Sequence, residues 1–129
     1  MIDNIVNFAT YLVSALVLLG GFLGLYTLIL PMREWAWIKQ GNVAAALVLG
    51  GALVGFSLPL AEAIRQTNSF AQMVVWSAIA LAVQLLGFGV MRLLRRDAVA
   101  AIERGDLAEA ILLAAASVSL GLINAACLS

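Results

Sequence analysis

Gln84 is the one strongly polar side chain near the middle of the apolar run Phe70–Leu94. An amide in hydrocarbon needs a partner, and such interhelical hydrogen bonds contribute on the order of 1 kcal/mol. Gln84 therefore reads as a structural hydrogen bond, with a pore-lining or solute-coordinating role as the alternative. Glu62 and Arg65 lie three apart on one helix face and can pair locally. Ionisable groups beside a membrane are also functional candidates. Asn124 and Cys127 are likewise three apart. A small polar cluster there competes with Cys127 as a small apolar side chain. Gly41-Asn42 and Gly105-Asp106 each join a residue free to turn sharply to one whose side-chain oxygen can cap a helix. Each reads as a turn plus cap. If the two loops meet, they form one small site. Glu109 follows in the first turn, where the helix dipole favours an anion.

Other chemistry is not provided for. The chain has no histidine, the commonest general base and transition-metal ligand. Its single cysteine rules out a cysteine cluster for zinc or iron–sulfur ligation. No phosphate-binding loop, dinucleotide fingerprint or nucleophile elbow appears. A non-enzymatic protein is expected, with no catalytic residue, cofactor or metal assigned. A net charge of zero argues against nucleic acid as a partner.

The elements that hold these residues are apolar. The hydrophobic share is 64%, the charged share 11% and the mean hydropathy +1.09, against roughly half and a quarter in globular chains. Four runs stand out: 5–30, 43–63, 70–94 and 107–128. Each reaches the roughly 20 residues that cross a hydrocarbon core of about 30 Å. Only helices or closed barrels satisfy the backbone there, and these runs lack strand-like alternation. Met1-Ile-Asp3-Asn4 carries no cation, so the first run reads as a span and not as a signal peptide. The lipid bilayer is the first expected partner.

Arg33, Lys39, Arg92, Arg95, Arg96 and Arg104 flank one side of the spans and Arg65 alone the other. Cations concentrate on the cytoplasmic side, so both termini are expected outside. The cytoplasmic loops 33–41 and 92–106 then become the candidate surface for a soluble partner. Trp35 and Trp37 in the first loop read as headgroup-level anchors.

The chain also reads as built twice. Ile38, Gly41, Ala44, Ala46, Leu49, Ala52, Val54, Leu58 and Ala61 meet Ile102, Gly105, Ala108, Ala110, Leu113, Ala116, Val118, Leu122 and Ala125 about 64 residues on. Residues 1–65 and 66–129 form two units of two spans. Two-span units point the same way in a membrane, which predicts a pseudo-two-fold axis along its normal. The fold expected is thus an all-α membrane protein, four transmembrane helices from a duplicated parallel two-helix repeat.

Small residues mark helix contacts. Gly51 and Gly55 form a GxxxG, Gly20-Gly21 with Gly24 a second face, and Ala114–Ser117 a third. They serve the fold or a homo-oligomer. Pro59 removes a helix hydrogen bond and predicts a kink, with Ser57 placed to satisfy a freed carbonyl. A second proline, Pro31, ends the first span.

The paired I-x-x-G-[ND]-x-A-x-A motifs, Gly50-Gly51-Ala-Leu-Val-Gly55-Phe-Ser-Leu-Pro59-Leu and the closing Asn124-Ala-Ala-Cys127 resemble the domain of unknown function 350 family. The resemblance spans essentially the whole chain. It implies a small bacterial inner membrane protein built on a duplicated two-span unit and associated with membrane-stress gene sets. It implies no catalytic residue. The function expected is a partner or scaffold in envelope-stress response. An oligomeric small channel or transporter is the alternative.

Overall fold

The computed structural model describes residues 1–29, 34–66, 69–95 and 97–128. The elements are α1 (Ile2–Ile29), α2 (Glu34–Lys39), α3 (Val43–Gln66), α4 (Phe70–Leu94), α5 (Ala98–Glu103) and α6 (Leu107–Leu128). No strand occurs among the described residues. Helices α1, α3, α4 and α6 each hold a predominantly apolar span of 22 residues or more. At 1.5 Å per residue that is at least about 33 Å, enough to cross the bilayer. The chain is an integral membrane protein with four transmembrane helices. Pro31, Arg33 and Arg96, named above for the first span's end and the charge asymmetry, lie outside the described residues.

The connections are more ordered than loops. Each folds into a short helix, α2 and α5, that ends at a glycine of positive φ, Gly41 at 86° and Gly105 at 80°. Gly41 N–H donates to Ile38 O (2.9 Å) and Asn42 N–H to Trp37 O (2.9 Å). Gly105 N–H donates to Ile102 O (3.0 Å) and Asp106 N–H to Ala101 O (3.0 Å). This pair of bonds is the Schellman cap, and only a left-handed residue closes it without strain. Apolar Ala98, Ala101 and Ile102 then turn inward and are buried with Ala44, Ala45, Val48, Ala110 and Leu113. Trp37 is half-buried against that cluster, so it serves packing as well as the interface.

Helices α3 and α6 run side by side in the same direction. A Cβ on Gly51 would lie 2.6 Å from the Ala114 Cα, and one on Gly55 2.5 Å from Ser117 O. Without a hydrophobic drive between helices in lipid, dispersion between close backbones holds this seam. The GxxxG is thus used within the chain and not between copies. By contrast, added methyl groups at Gly20, Gly21 and Gly24 would meet nothing within 4 Å.

Helix α4 runs antiparallel to α6 and packs against both α3 and α6. Helix α1 is attached mainly through rings. Phe22 stacks on Phe56 at 4.7 Å, and Tyr26 meets Phe88 edge-on at 4.9 Å. Phe22 and Tyr26 are its buried residues among those described, while Leu12, Leu16 and Leu28 are exposed to the lipid region.

Helix α3 continues through Pro59, which is buried within it. Ser57 Oγ donates to Val54 O (2.8 Å) and not to Gly55 O, the carbonyl that a proline at 59 leaves without its helix donor.

Candidate functional site

The two charged connections meet at one end of the bundle, and Asn42 joins them. Its Oδ1 accepts from Ala45 N–H (3.1 Å), capping α3. Its Nδ2 donates to Ile102 O (2.8 Å), which already accepts from Gly105 N–H, and more weakly to Glu103 O (3.4 Å), both carbonyls at the end of α5. One amide therefore caps one helix at its start and another at its end. Asp106 holds the matching position on α6 and caps it, accepting from Glu109 N–H at 3.2 Å. A carboxylate has no N–H to donate, so no reciprocal tie exists.

Beside Asp106 opens a cavity of about 340 Å³. Arg95, Asp97, Arg104, Asp106 and Glu109 line it, with Leu94, Ala98 and Ala101. Arg95 Nε and Nη2 both donate to the Glu109 carboxylate, a two-pronged ion pair across the α4–α6 junction. Hydrogen bonding to Glu109, then its charge and that of Asp106, raises the Arg95 pKa above the ordinary arginine value. A broader hollow, lined by Gln40, Gly41, Asn42, Glu103, Arg104 and Gly105 among others, lies beside the first. Arg104 borders both.

A second polar set lies within the spans, on α4 and α6. Ser77, Gln84, Ser117 and Asn124 are the buried polar side chains among the described residues. Gln84 points into the bundle, where its Nε2 donates to Ser117 O (3.1 Å). Its Oε1 is buried without a hydrogen-bond partner. Asn124 Nδ2 donates to Ala80 O (3.0 Å). These contacts join α4 to α6.

Of the residues singled out in the sequence, Gly41, Asn42, Gly105 and Asp106 converge at the charged end. Gly51 and Gly55 serve the α3–α6 seam. Glu62 and Arg65 pair at 2.9 Å at the other end of α3, and Gln66 Nε2 donates to Glu62 Oε1 (2.8 Å). The alternative reading of Asn124 and Cys127 as one small polar cluster finds no contact between them. Asn124 is buried against α4, whereas Cys127 is exposed. Sequence reasoning missed the roles of Arg95, Asp97 and Arg104 in the cavity, and of Gly121 in the seam. Ser117-x-x-x-Gly121 is a small-residue spacing that pointed to the second. The Arg95–Glu109 pair spans a turn and a short helix, so no fixed spacing announces it. No group of three or more histidine, cysteine or carboxylate side chains suited to a metal occurs among the described residues.

The chain is similar to known membrane proteins. It is 32% identical to the UPF0719 inner membrane protein YjfL of Escherichia coli K12, over all of this chain and 98% of that protein. It is 28% identical to the UPF0719 transmembrane protein YshE of Bacillus subtilis 168, over 71% of this chain and 69% of that protein. No solved structure matches it. The profile of the Domain of Unknown Function (DUF350) family covers residues 1–128, and with four spanning helices in place the chain belongs to that family.

Proposed function

We propose that this protein is a non-enzymatic integral protein of the bacterial inner membrane that acts as a partner or scaffold in envelope-stress response. The carrying observation is the tie from Asn42 to the Ile102 carbonyl, which makes the two charged connections one surface. Lys39, Glu103 and Arg104 are exposed on that surface. In this reading it faces the cytoplasm, both termini face outside, and a soluble partner docks there. The inner-membrane placement is supported by the name of the Escherichia coli relative.

The test is site-specific photo-crosslinking in intact cells under membrane stress. A discrete adduct from Gln40 or Glu103, absent from Gln72 at the opposite end, is expected. Its loss should coincide with failure of that variant to complement a deletion strain in a stress-reporter assay. Equal crosslinking at both ends, or full complementation without an adduct, sinks the reading.

The unpartnered Gln84 Oε1, with Ser77, Ser117 and Asn124 buried nearby on α4 and α6, supports a second reading, a small channel or transporter. These groups sit inside one subunit's helix contacts, so a conducting path calls for a homo-oligomer. Flux through liposomes containing the purified protein tests it.

A further inference from the structure

The cavity beside Asp106 has a charge pattern that capping does not require. The turn-and-cap geometry is made equally well in the first connection, with Gln40 at the position matching Arg104, Asn42 matching Asp106 and Ala45 matching Glu109. Three charges thus appear only in the second connection, and all three line one cavity.

Those charges are only partly compensated. Arg95 and Glu109 neutralise each other, but the pair uses Nε and Nη2 and leaves the Nη1 donors unused. The Arg104 guanidinium makes no hydrogen bond or ion pair to a described residue. Asp97 makes no capping bond, and Asp106 uses one oxygen on the Glu109 N–H. The lining therefore offers guanidinium N–H groups for an anion and two carboxylates for a cation. A simple anion meets both aspartates, and a simple cation meets Arg104. A ligand carrying both signs a few bonds apart satisfies both halves.

The position selects among such ligands. The cavity opens where α4 ends, beside exposed Leu94, at the level where a spanning helix leaves the hydrocarbon. Its volume falls near the lower end of small-ligand pockets, about 300–1,000 Å³. We propose that it binds phosphoethanolamine as the headgroup of a membrane lipid. The phosphate takes donors from Arg104 and Arg95, and the primary ammonium donates to Asp97 and Asp106.

The experiment uses the full chain in detergent, with native mass spectrometry of lipid adducts. Phosphatidylethanolamine, phosphatidylcholine and phosphatidylglycerol of identical acyl chains are compared. Phosphatidylcholine keeps both charges but has no ammonium N–H, and phosphatidylglycerol has no ammonium. Phosphatidylethanolamine should bind about tenfold more tightly than either, the scale of one or two charge-assisted hydrogen bonds. Asp106→Asn, Asp97→Asn and Arg104→Gln should each reduce that preference at least about threefold. Asn caps a helix as well as Asp, and the side chains of Asp97 and Arg104 hold no bond of the fold among the described residues, so these variants leave the bundle intact. Soluble O-phosphoethanolamine separates the sources. Competition shows that the headgroup is read by itself. Failure to compete, with the lipid preference intact, shows that the lipid form is required. Equal binding of the three lipids, or a preference that survives all three substitutions, overturns the proposal.

Discussion

Gly121 stands against Gly55 backbone to backbone: a Cβ on Gly121 would lie 2.0 Å from the Gly55 carbonyl oxygen. That oxygen is the acceptor that Pro59 deprives of its helix N–H. The Gly121 Cα–H, pointing where a side chain would start, is directed at it. Such Cα–H···O contacts recur where helices cross closely. The proline in α3 and the glycine in α6 are thus two halves of one crossing.

Gly121→Ala should therefore force the helices apart and destabilise the protein by about 1–3 kcal/mol, the range for overpacking. Gly24→Ala meets nothing within 4 Å and should be neutral or slightly stabilising. Unfolding titrations in mixed micelles would compare them. Equal effects would refute the crossing as the close contact.

Asn42→Asp keeps the cap on α3 but removes both donors to α5 and brings a carboxylate to the Ile102 carbonyl. A loss of about 1–3 kcal/mol is expected, because the tie between the connections is lost and a carboxylate is set against the Ile102 carbonyl, which keeps only its Gly105 N–H. Asp106→Asn preserves its own cap and should cost little. The two substitutions are chemical inverses at matching positions, so the sign of their difference is the measurement.

Glu109→Gln should loosen the junction of α4 with α6. Arg95 is half-exposed, so solvent and salt screen the pair. The effect should be clear at low ionic strength and shrink steadily toward 0.5 M, a concentration at which the Debye length falls to about 4–5 Å. An effect independent of salt would mean that Glu109 acts through packing.

Orientation is open to a direct measurement. The protein has one cysteine, Cys127, exposed near the end of α6. With Cys127→Ala as background, Asp3→Cys should react in intact cells with a maleimide that cannot cross the inner membrane. Glu103→Cys should react only after permeabilisation. The reverse pattern would invert the topology and, with it, the cytoplasmic surface proposed for a partner.

The four spans were legible because membrane insertion imposes length and apolarity on each helix separately. So were the two caps, since glycine before Asn or Asp is a local signal. Helices α2 and α5 were not, because six residues are too few to show a period and their burial depends on contacts with α3 and α6. The α3–α6 seam was half-legible. Gly51 and Gly55 announced a close surface, but its partner, Ser117 with Gly121, is set by the parallel placement of two distant segments. Arg95 read as a topology cation because its partner, Glu109, is 14 positions away.

Gln84 decides between the two functional readings. Its Nε2 bond to Ser117 O links α4 to α6, and a Cβ on Gly55 would lie 2.8 Å from that same nitrogen, so the amide fills the junction of three helices. Gln84→Leu removes one interhelical bond, but it also removes a buried acceptor that has no partner. The net loss should be small, on the order of 1 kcal/mol or less, because deleting an unsatisfied group offsets the lost bond. A protein that works by docking a partner should keep crosslinking and complementation with this change. A conducting assembly should not keep its flux, because leucine places an apolar plug at the buried amide. Flux in liposomes and adduct formation in cells, measured on the same variant, therefore separate the readings. Flux that is present in the wild type and lost in Gln84→Leu, with the fold intact, selects transport. An adduct retained with no flux in either protein selects the partner role.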